Sequence, residues 1–389
     1  MPLRIVLDVR RVRDFGIGTY IRGLLHALAA IDQSDDYILV ALPHDAGAAG
    51  AAGAADSQDA FSGLPPNFKT VPYRKTDSYA LNHLAFPWFL HRLAPSLVHI
   101  PLNQVPLFMM DPYVVTIHDM ASLLFETGSG LRMQTRRFLL RRGLLRAKGI
   151  MAVSEATRRD VHDALGIPAD RIRVAYNAPN PDFFRPAEAG HARERILERY
   201  QIDYPFLLYA GNIRPQKNIP RLVEAFAVVR EQLARHPVYR NLHLIIIGDE
   251  ISRYPSVRRA VIQTRVEKAV RFLGFVPFEA LRVFFESAAL FVFPSLYEGF
   301  GLPPLEAMAT GTPVVASNVS SLLEVLGDAA LLANPENVFE IARAIQDALL
   351  DEDLRADLIA KGKAQAARYS WDRTARDVLE VYREVSDVR

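Results

Sequence analysis

The 389 residues include no cysteine. A disulfide framework, a thiolate metal site and a cysteine nucleophile are therefore excluded. No apolar run approaches the roughly 18 residues that a membrane-spanning helix needs. The amino-terminal MPLRIVLDVR passes straight into a short apolar strand with no signal-peptide pattern, so a cytoplasmic protein is expected. Excess charge is scarce as well: 46 Lys and Arg against 44 Asp and Glu leave +2, too little for wholesale nucleic-acid binding. Any basic partner surface must be local. Half the residues are hydrophobic and 23% are charged, a globular composition, and the length suffices for two domains with cores of their own.

What is present centres on Ala289 to Ser317, ALFVFPSLYEGFGLPPLEAMATGTPVVAS. Two short apolar runs, Ala289 to Phe293 and Pro313 to Ala316, have the length and β-branched or aromatic bias of buried strands. Between them Pro303 and Pro304 mark the first turn of a helix, where a missing N–H has no partner to lose. Gly311-Thr312-Pro313 ends that helix. Glu306 then sits on the helix and Glu298 on the loop before it, with the backbone of Gly299, Phe300, Gly301 and Leu302 at the helix N-terminus. A helix N-terminus at the carboxyl end of a parallel strand favours an anion such as phosphate. Two carboxylates at this spacing also fit a charged loop residue and a solvated helix residue, and the glycines and the feeding strand weigh against that reading.

The same stretch, EGFGLPPLEAMATGTPVVAS with its E-x7-E spacing, resembles the signature of retaining glycosyltransferases of the GT-B fold, family 4. The resemblance implies two Rossmann-like α/β domains with parallel sheets facing a central cleft. It implies that Glu306 holds the ribose hydroxyls of a sugar nucleotide and that Glu298 lies near the donor sugar. The expected boundaries are an acceptor-side domain over 1–178, a nucleotide-sugar domain over 179–371 and a last helix, 372–389, crossing back to the first domain. Pro179 to Pro186, rich in proline, is the natural linker.

In chain order, Ile5 to Leu7 reads as a first strand, followed by a polar turn from Asp8 to Asp14 and by Gly16-Ile17-Gly18 opening a helix. A tight turn needing positive φ explains the glycines by itself, and Ile21 stands where a dinucleotide fingerprint has its third glycine. The resemblance implies that Gly16 and Gly18 face the donor diphosphate. Asp45 to Ala60 is Ala/Gly-rich and is expected as a surface loop. His118-Asp119 ends the strand Val114 to Ile117. A lone histidine is often structural; the family's active-site histidine, which contacts the donor sugar, matches His118, with Asp119 as a helix cap. Ser154 caps the helix after the strand Ile150 to Val153.

Leu131 to Lys148 carries seven basic residues and no acid. Its arginines four apart repel one another. Either the helix shows a solvated basic face over an apolar stripe of Phe138, Leu140, Leu144 and Leu145, or it touches anionic lipid or a lipid-diphosphate acceptor. Gly143 is expected to interrupt it, and no tryptophan lies within it.

In the second half, Gly211-Asn212-Ile213-Arg214-Pro215-Gln216-Lys217-Asn218 follows a strand and precedes a helix. Arg214 and Lys217 there neutralise a diphosphate, the arginine by forked hydrogen bonds and the lysine as a point charge, or are two ordinary loop cations. GNIRPQKN matches the family's donor-binding loop at both. In the family resembled the matching loop lies near the nucleobase, which makes Gly274 to Val276 candidates for reading it, and Trp371 reads as a packing anchor.

The implied reaction is retaining, metal-independent transfer of a hexose from a nucleotide diphosphate sugar, with no resident cofactor. Arg214, Lys217, Glu298 and His118 are the implied catalytic set. The branch resembled favours GDP-mannose over UDP-sugars and surface-polysaccharide assembly, with a glycan or lipid-linked acceptor. A glycan hydrolase using Glu298 and Glu306 remains open, as do a GT-B-type epimerase and a noncatalytic membrane-binding scaffold. A new glycosidic bond in the product, or nucleotide release that depends on Glu298 and His118, separates them.

Overall fold

A computed structural model describes residues 2–46, 60–74, 79–125, 130–186, 191–249 and 251–387. Most of the Ala/Gly segment, 47–59, lies outside the described residues. The chain forms two compact units, Met1–Asn177 with Ser370–Arg389, and Ala178–Tyr369.

Among the described residues of the first unit, seven short runs form β1 (Arg4–Asp8), β2 (Asp36–Ala41), β3 (Phe68–Pro72), β4 (Leu97–Ile100), β5 (Tyr113–Ile117), β6 (Gly149–Ala152) and β7 (Ile172–Val174). They make one parallel sheet in the order β3-β2-β1-β4-β5-β6-β7. Parallel neighbours need crossovers, and α1 (Ile17–Ile31), α2 (Tyr79–His91), α3 (Ala121–Leu124), α4 (Gly130–Arg146) and α5 (Glu155–Leu165) lie in them. Strands covered on both faces are buried at every position, as β4 and β5 are, with His99 and Thr116 set among their apolar residues.

The second unit opens with a 3₁₀ turn, Pro181–Phe184, inside the stretch expected as a linker. Its Phe183 is buried edge-on against Phe278 and Phe285, so this segment is part of the second core. The strands β8 (Phe206–Ala210), β9 (His243–Ile247), β10 (Val270–Gly274), β11 (Leu290–Phe293), β12 (Val314–Ser317) and β13 (Leu331–Ala333) are parallel in the order β10-β9-β8-β11-β12-β13. This is the doubly wound order, with its reversal between β8 and β11. The helices are α6 (His191–Arg199), α7 (Ile219–Gln232), α8 (Pro255–Gln263), α9 (Phe278–Ser287), α10 (Leu302–Thr310), α11 (Ser321–Leu326), α12 (Val338–Leu350) and α13 (Glu352–Ala366). β10 stops at Gly274, whose φ of 65° follows a register shift, so Phe275 and Val276 lie beyond the strand.

The last helix, α14 (Trp371–Asp387), belongs to the first unit. Trp371 is buried on α1, where a Cβ at Gly23 would fall inside the indole. Thr374 Oγ1 donates to the Tyr176 carbonyl.

Two expectations for the basic helix are corrected. Gly143 does not interrupt α4; the helix needs its missing side chain, because a Cβ there would stand 2.6 Å from Val105 Cβ. The apolar stripe is half right. Leu140 and Leu144 are buried, whereas Phe138 is 60% exposed and Leu145 is exposed too. Part of the charge is relieved by carbonyl oxygens, since Arg141 Nε donates to Leu165 O and Arg146 donates to Leu107 O and Met109 O. Among the described residues no helix is long and apolar enough to cross a membrane.

Candidate functional site

In the second unit the loops leaving β8 and β11 diverge at the sheet's reversal point and are stitched back together. After β8, Gly211 takes φ 150° and donates its N–H to Ile247 O. Gly248 must be glycine, because any Cβ there would overlap the Gly211 carbonyl oxygen. The chain then makes a 3₁₀ turn, Pro215–Lys217, and Asn218 opens α7 with φ 61°. Asn218 Nδ2 donates to the carbonyls of Pro294, at 3.0 Å, and Pro335, at 2.7 Å, while Leu296 N donates to Gln216 O at 2.7 Å.

This stitching brings Lys217 Nζ to 2.5 Å from Glu298 Oε1, with the side chains 15% and 11% exposed. The ammonium also lies 5.3 Å from the centre of the Phe293 ring, within cation–π range. The backbone of Glu298 is clamped on both sides: its N–H donates to Ser320 Oγ, and Ser321 Oγ donates to its carbonyl. From there the turn Gly299–Leu302 is buried and leads into α10, capped by Gly301 at φ 100°. Pro303 and Pro304 occupy the first turn, and Glu306 is half-buried one turn on.

Arg214 is exposed at the start of the 3₁₀ turn. It lines a pocket of about 480 Å³ together with Asn218, Arg221, Glu224, Tyr254 and Leu296. Asp249 Oδ2 accepts from Ile213 N and from the Tyr254 hydroxyl, fixing the loop that carries Arg214. Burial pushes the Tyr209 phenol well above its ordinary range, and the negative charges of Glu298 and Asp249 add to the shift. Its hydroxyl therefore stays protonated and donates to Asn212 O at 2.8 Å.

His118 belongs to the first unit, one residue past β5. Its N–H donates to Asn103 Oδ1, whose amide donates to Asp119 O, and Asp119 Oδ1 caps the next turn at Ala121 N. The ring Nε2 lies 3.1 Å from Pro101 O, which can only accept, so Nε2 carries the proton. Burial lowers the His118 pKa from 6.5 to about 4, the Pro101 contact opposing it. The neutral ring thus keeps an acceptor lone pair on Nδ1. Gly16 opens α1 at φ 72°, and a Cβ at Gly18 would overlap the Val12 carbonyl oxygen. The Ile17 and Gly18 N–H groups are taken by Phe15 O and Asp14 O.

Some residues escaped the sequence reading. The Asp8 to Asp14 turn holds a buried fork, with Arg10 Nε and one terminal nitrogen each 2.8 Å from an Asp8 oxygen. Arg10 also donates to Asn82 and lies 3.6 Å from the Phe86 ring centre, tying α2 to the end of β1. Ser295 Oγ and Ser317 Oγ, near the carboxyl ends of β11 and β12, are buried with no hydrogen-bond partner among the described residues. The only advance signal for Asn218 was its type and its place just before a helix.

Residues 16–183 match the family model described as Glycosyltransferase Family 4, and residues 192–365 match Glycosyl transferases group 1. The O-antigen chain mannosyltransferase B of Escherichia coli is 34% identical over 76% of this chain and 76% of its own length. Among solved structures, a sucrose-phosphate synthase from Thermosynechococcus elongatus superposes with a TM-score of 0.76 at 20% identity, covering 100% of both chains. Anabaena HepE in complex with UDP and glucose gives 0.76 at 16% identity, over 98% of this chain and 100% of that one. These likenesses show the GT-B fold.

His99 and His118 both disfavour acid. Their pKa values, lowered chiefly by burial from 6.5 to about 3 and about 4, mean that below pH 6.5 the unfolded chain takes up protons the folded chain refuses. Stability therefore falls as pH drops through that window. Both tryptophans, Trp88 and Trp371, lie in the first unit, so urea unfolding followed by tryptophan fluorescence reports on it. Between pH 6.5 and 4, His118→Gln is expected to make the loss shallower by about 1–3 kcal/mol. Identical acid slopes would contradict the buried neutral ring.

Proposed function

This chain belongs to glycosyltransferase family 4, and from that premise we propose that it transfers mannose from GDP-mannose to a hydroxyl of a glycan or lipid-linked acceptor in surface-polysaccharide assembly, at the cytoplasmic face of a membrane. The family is a retaining one. The choice of mannose rests on the E. coli relative, whose name states that sugar. The observation that carries the donor site is the Lys217–Glu298 pair at the reversal of the second sheet, next to Arg214 and the buried turn before α10.

In this reading Arg214, Lys217 and the N–H groups of Gly299, Phe300, Gly301 and Leu302 bind the diphosphate, and Glu306 holds the ribose. They act on charge that grows as the anomeric carbon leaves the phosphate oxygen, so they lower the barrier beyond what binding alone achieves. Glu298 is paired with Lys217. A diphosphate that draws the lysine away frees Glu298 for the sugar. In the first unit the Nδ1 lone pair of His118 is the acceptor for a sugar hydroxyl. The acceptor oxygen bonds to the anomeric carbon on the face the phosphate leaves, and its proton passes to the departing phosphate oxygen. Charge and atoms balance without a protein nucleophile.

A surface for the acceptor side accompanies this. α4 exposes Leu131, Phe138 and Leu145 among its arginines. The neighbouring 107–110 segment, tied to α4 by Arg146, exposes Phe108 and Met110. His83 Nδ1 accepts from Leu107 N, which joins α2 with its exposed Leu84 and Trp88. Apolar side chains among arginines fit an anionic lipid surface.

Two measurements test these readings. Incubated with GDP-mannose and a mannose-terminated oligosaccharide, the chain is expected to form an α-linkage, keeping the donor's configuration. A β-linkage, release of free mannose alone, or a new nucleotide sugar without a glycosidic bond would each defeat the proposal. In co-sedimentation with phosphatidylglycerol vesicles, the pair Arg137→Glu and Phe138→Asp is expected to lower binding at least about tenfold. Unchanged binding would remove α4 from the membrane reading.

A further inference from the structure

We infer that α14 holds the His118 ring in its working orientation through a buried hydrogen-bonded chain, Tyr382–His99–Thr116–Tyr20, making these four positioning residues for transfer. The inference rests on the reading of His118 as a donor-site residue.

The chain is continuous. The Tyr382 hydroxyl is 2.6 Å from His99 Nδ1, His99 Nε2 is 2.8 Å from Thr116 Oγ1, and Thr116 Oγ1 is 3.1 Å from the Tyr20 hydroxyl. All four residues are fully buried. They come from α14, β4, β5 and α1, elements far apart in sequence. Burial holds His99 neutral, its pKa lowered to about 3. A neutral ring donates from one nitrogen and accepts at the other, so the hydroxyls on either side are forced into one consistent sense.

Tyr20 passes the constraint to His118. Thr116 and His118 are two residues apart at the end of β5 and so share a face. Tyr20 covers both, with its hydroxyl on Thr116 and its ring edge-on to the His118 imidazole at 4.8 Å and 78°. A second grip comes from the same helix. Trp371, eleven residues before Tyr382 and so about three turns away on the same side of α14, packs against Gly23 and edge-on to Tyr20 at 6.1 Å. Apolar residues of the same shape would fill this space at little cost in stability. What the polar chain adds is position, since a hydrogen bond pins the Tyr20 hydroxyl, and with it the place of the ring, where apolar packing would let the side chain shift.

The test uses the full chain labelled with ¹⁵N-histidine, the His118 signals being assigned by their loss in His118→Gln. In the parent protein His118 is expected to show the tautomer protonated at Nε2. Tyr382→Phe, which removes one oxygen, should shift these signals towards mixed tautomers while those of His162 and His236 stay put. Turnover of GDP-mannose should fall about five- to tenfold, GDP affinity should not change, and adding Tyr382→Phe to His118→Gln should cost nothing further. Thr116→Val, which breaks the chain at its middle, should act alike and serves if Tyr382→Phe folds poorly. Unmoved His118 signals, or losses that multiply in the double variant, would overturn the inference. If His118→Gln turns over donor at the parent rate, the reading of His118 fails and the inference with it. The nitrogen signals need no donor, so a wrong sugar nucleotide leaves that arm decisive.

Discussion

The ion pair between Lys217 and Glu298 sits where the loops leaving β8 and β11 meet, and the second unit's loops are braced to hold it. Two charges with little exposure are costly to remove from water, and each is tolerable because the other stands 2.5 Å away. That proximity is built from backbone: the Gln216–Leu296 bond, the two carbonyls held by Asn218 and the clamp of Ser320 and Ser321 on Glu298. Deleting either charge strands the other, and a dianionic ligand is one of the few things that can replace the carboxylate as the lysine's partner.

The same logic runs through the first unit, with hydrogen bonds in place of charge. His118 is held at its backbone by Asn103, at Nε2 by Pro101 O and at its face by Tyr20. Residues at the far end of the chain complete the unit, since Trp371 seats on α1 and Tyr382 closes on His99. A domain whose last helix carries part of its polar core is sensitive to changes in that helix.

Legibility from sequence followed the range of the interactions. Frames set by local chemistry were readable: Pro303, Pro304 and Gly311 bracket α10, and β4, β5, β9 and β11 are short, mostly apolar and rich in β-branched or aromatic residues. β3 and α2 were not, because β3 is only half-buried and α2 carries Pro87 inside it. Gly143 read as a breaker because its reason, Val105, sits on another segment. Arg10 read as part of a polar turn because Asn82 and Phe86, which bury it, lie more than seventy residues on. Glu298, Arg214 and Lys217 could be placed on their loops and Glu306 on its helix, yet nothing local says that Lys217 meets Glu298 while Arg214 lines a pocket with Tyr254.

The most direct test of the donor site is calorimetric titration of GDP and UDP, with EDTA present, into the parent protein, Lys217→Met and Glu306→Ala. The account predicts that GDP binds without metal, that UDP binds more weakly, and that each substitution lowers GDP affinity by at least about tenfold, or 1.4 kcal/mol. Equal GDP affinity in all three proteins, or no binding of either nucleotide to the parent, would contradict it.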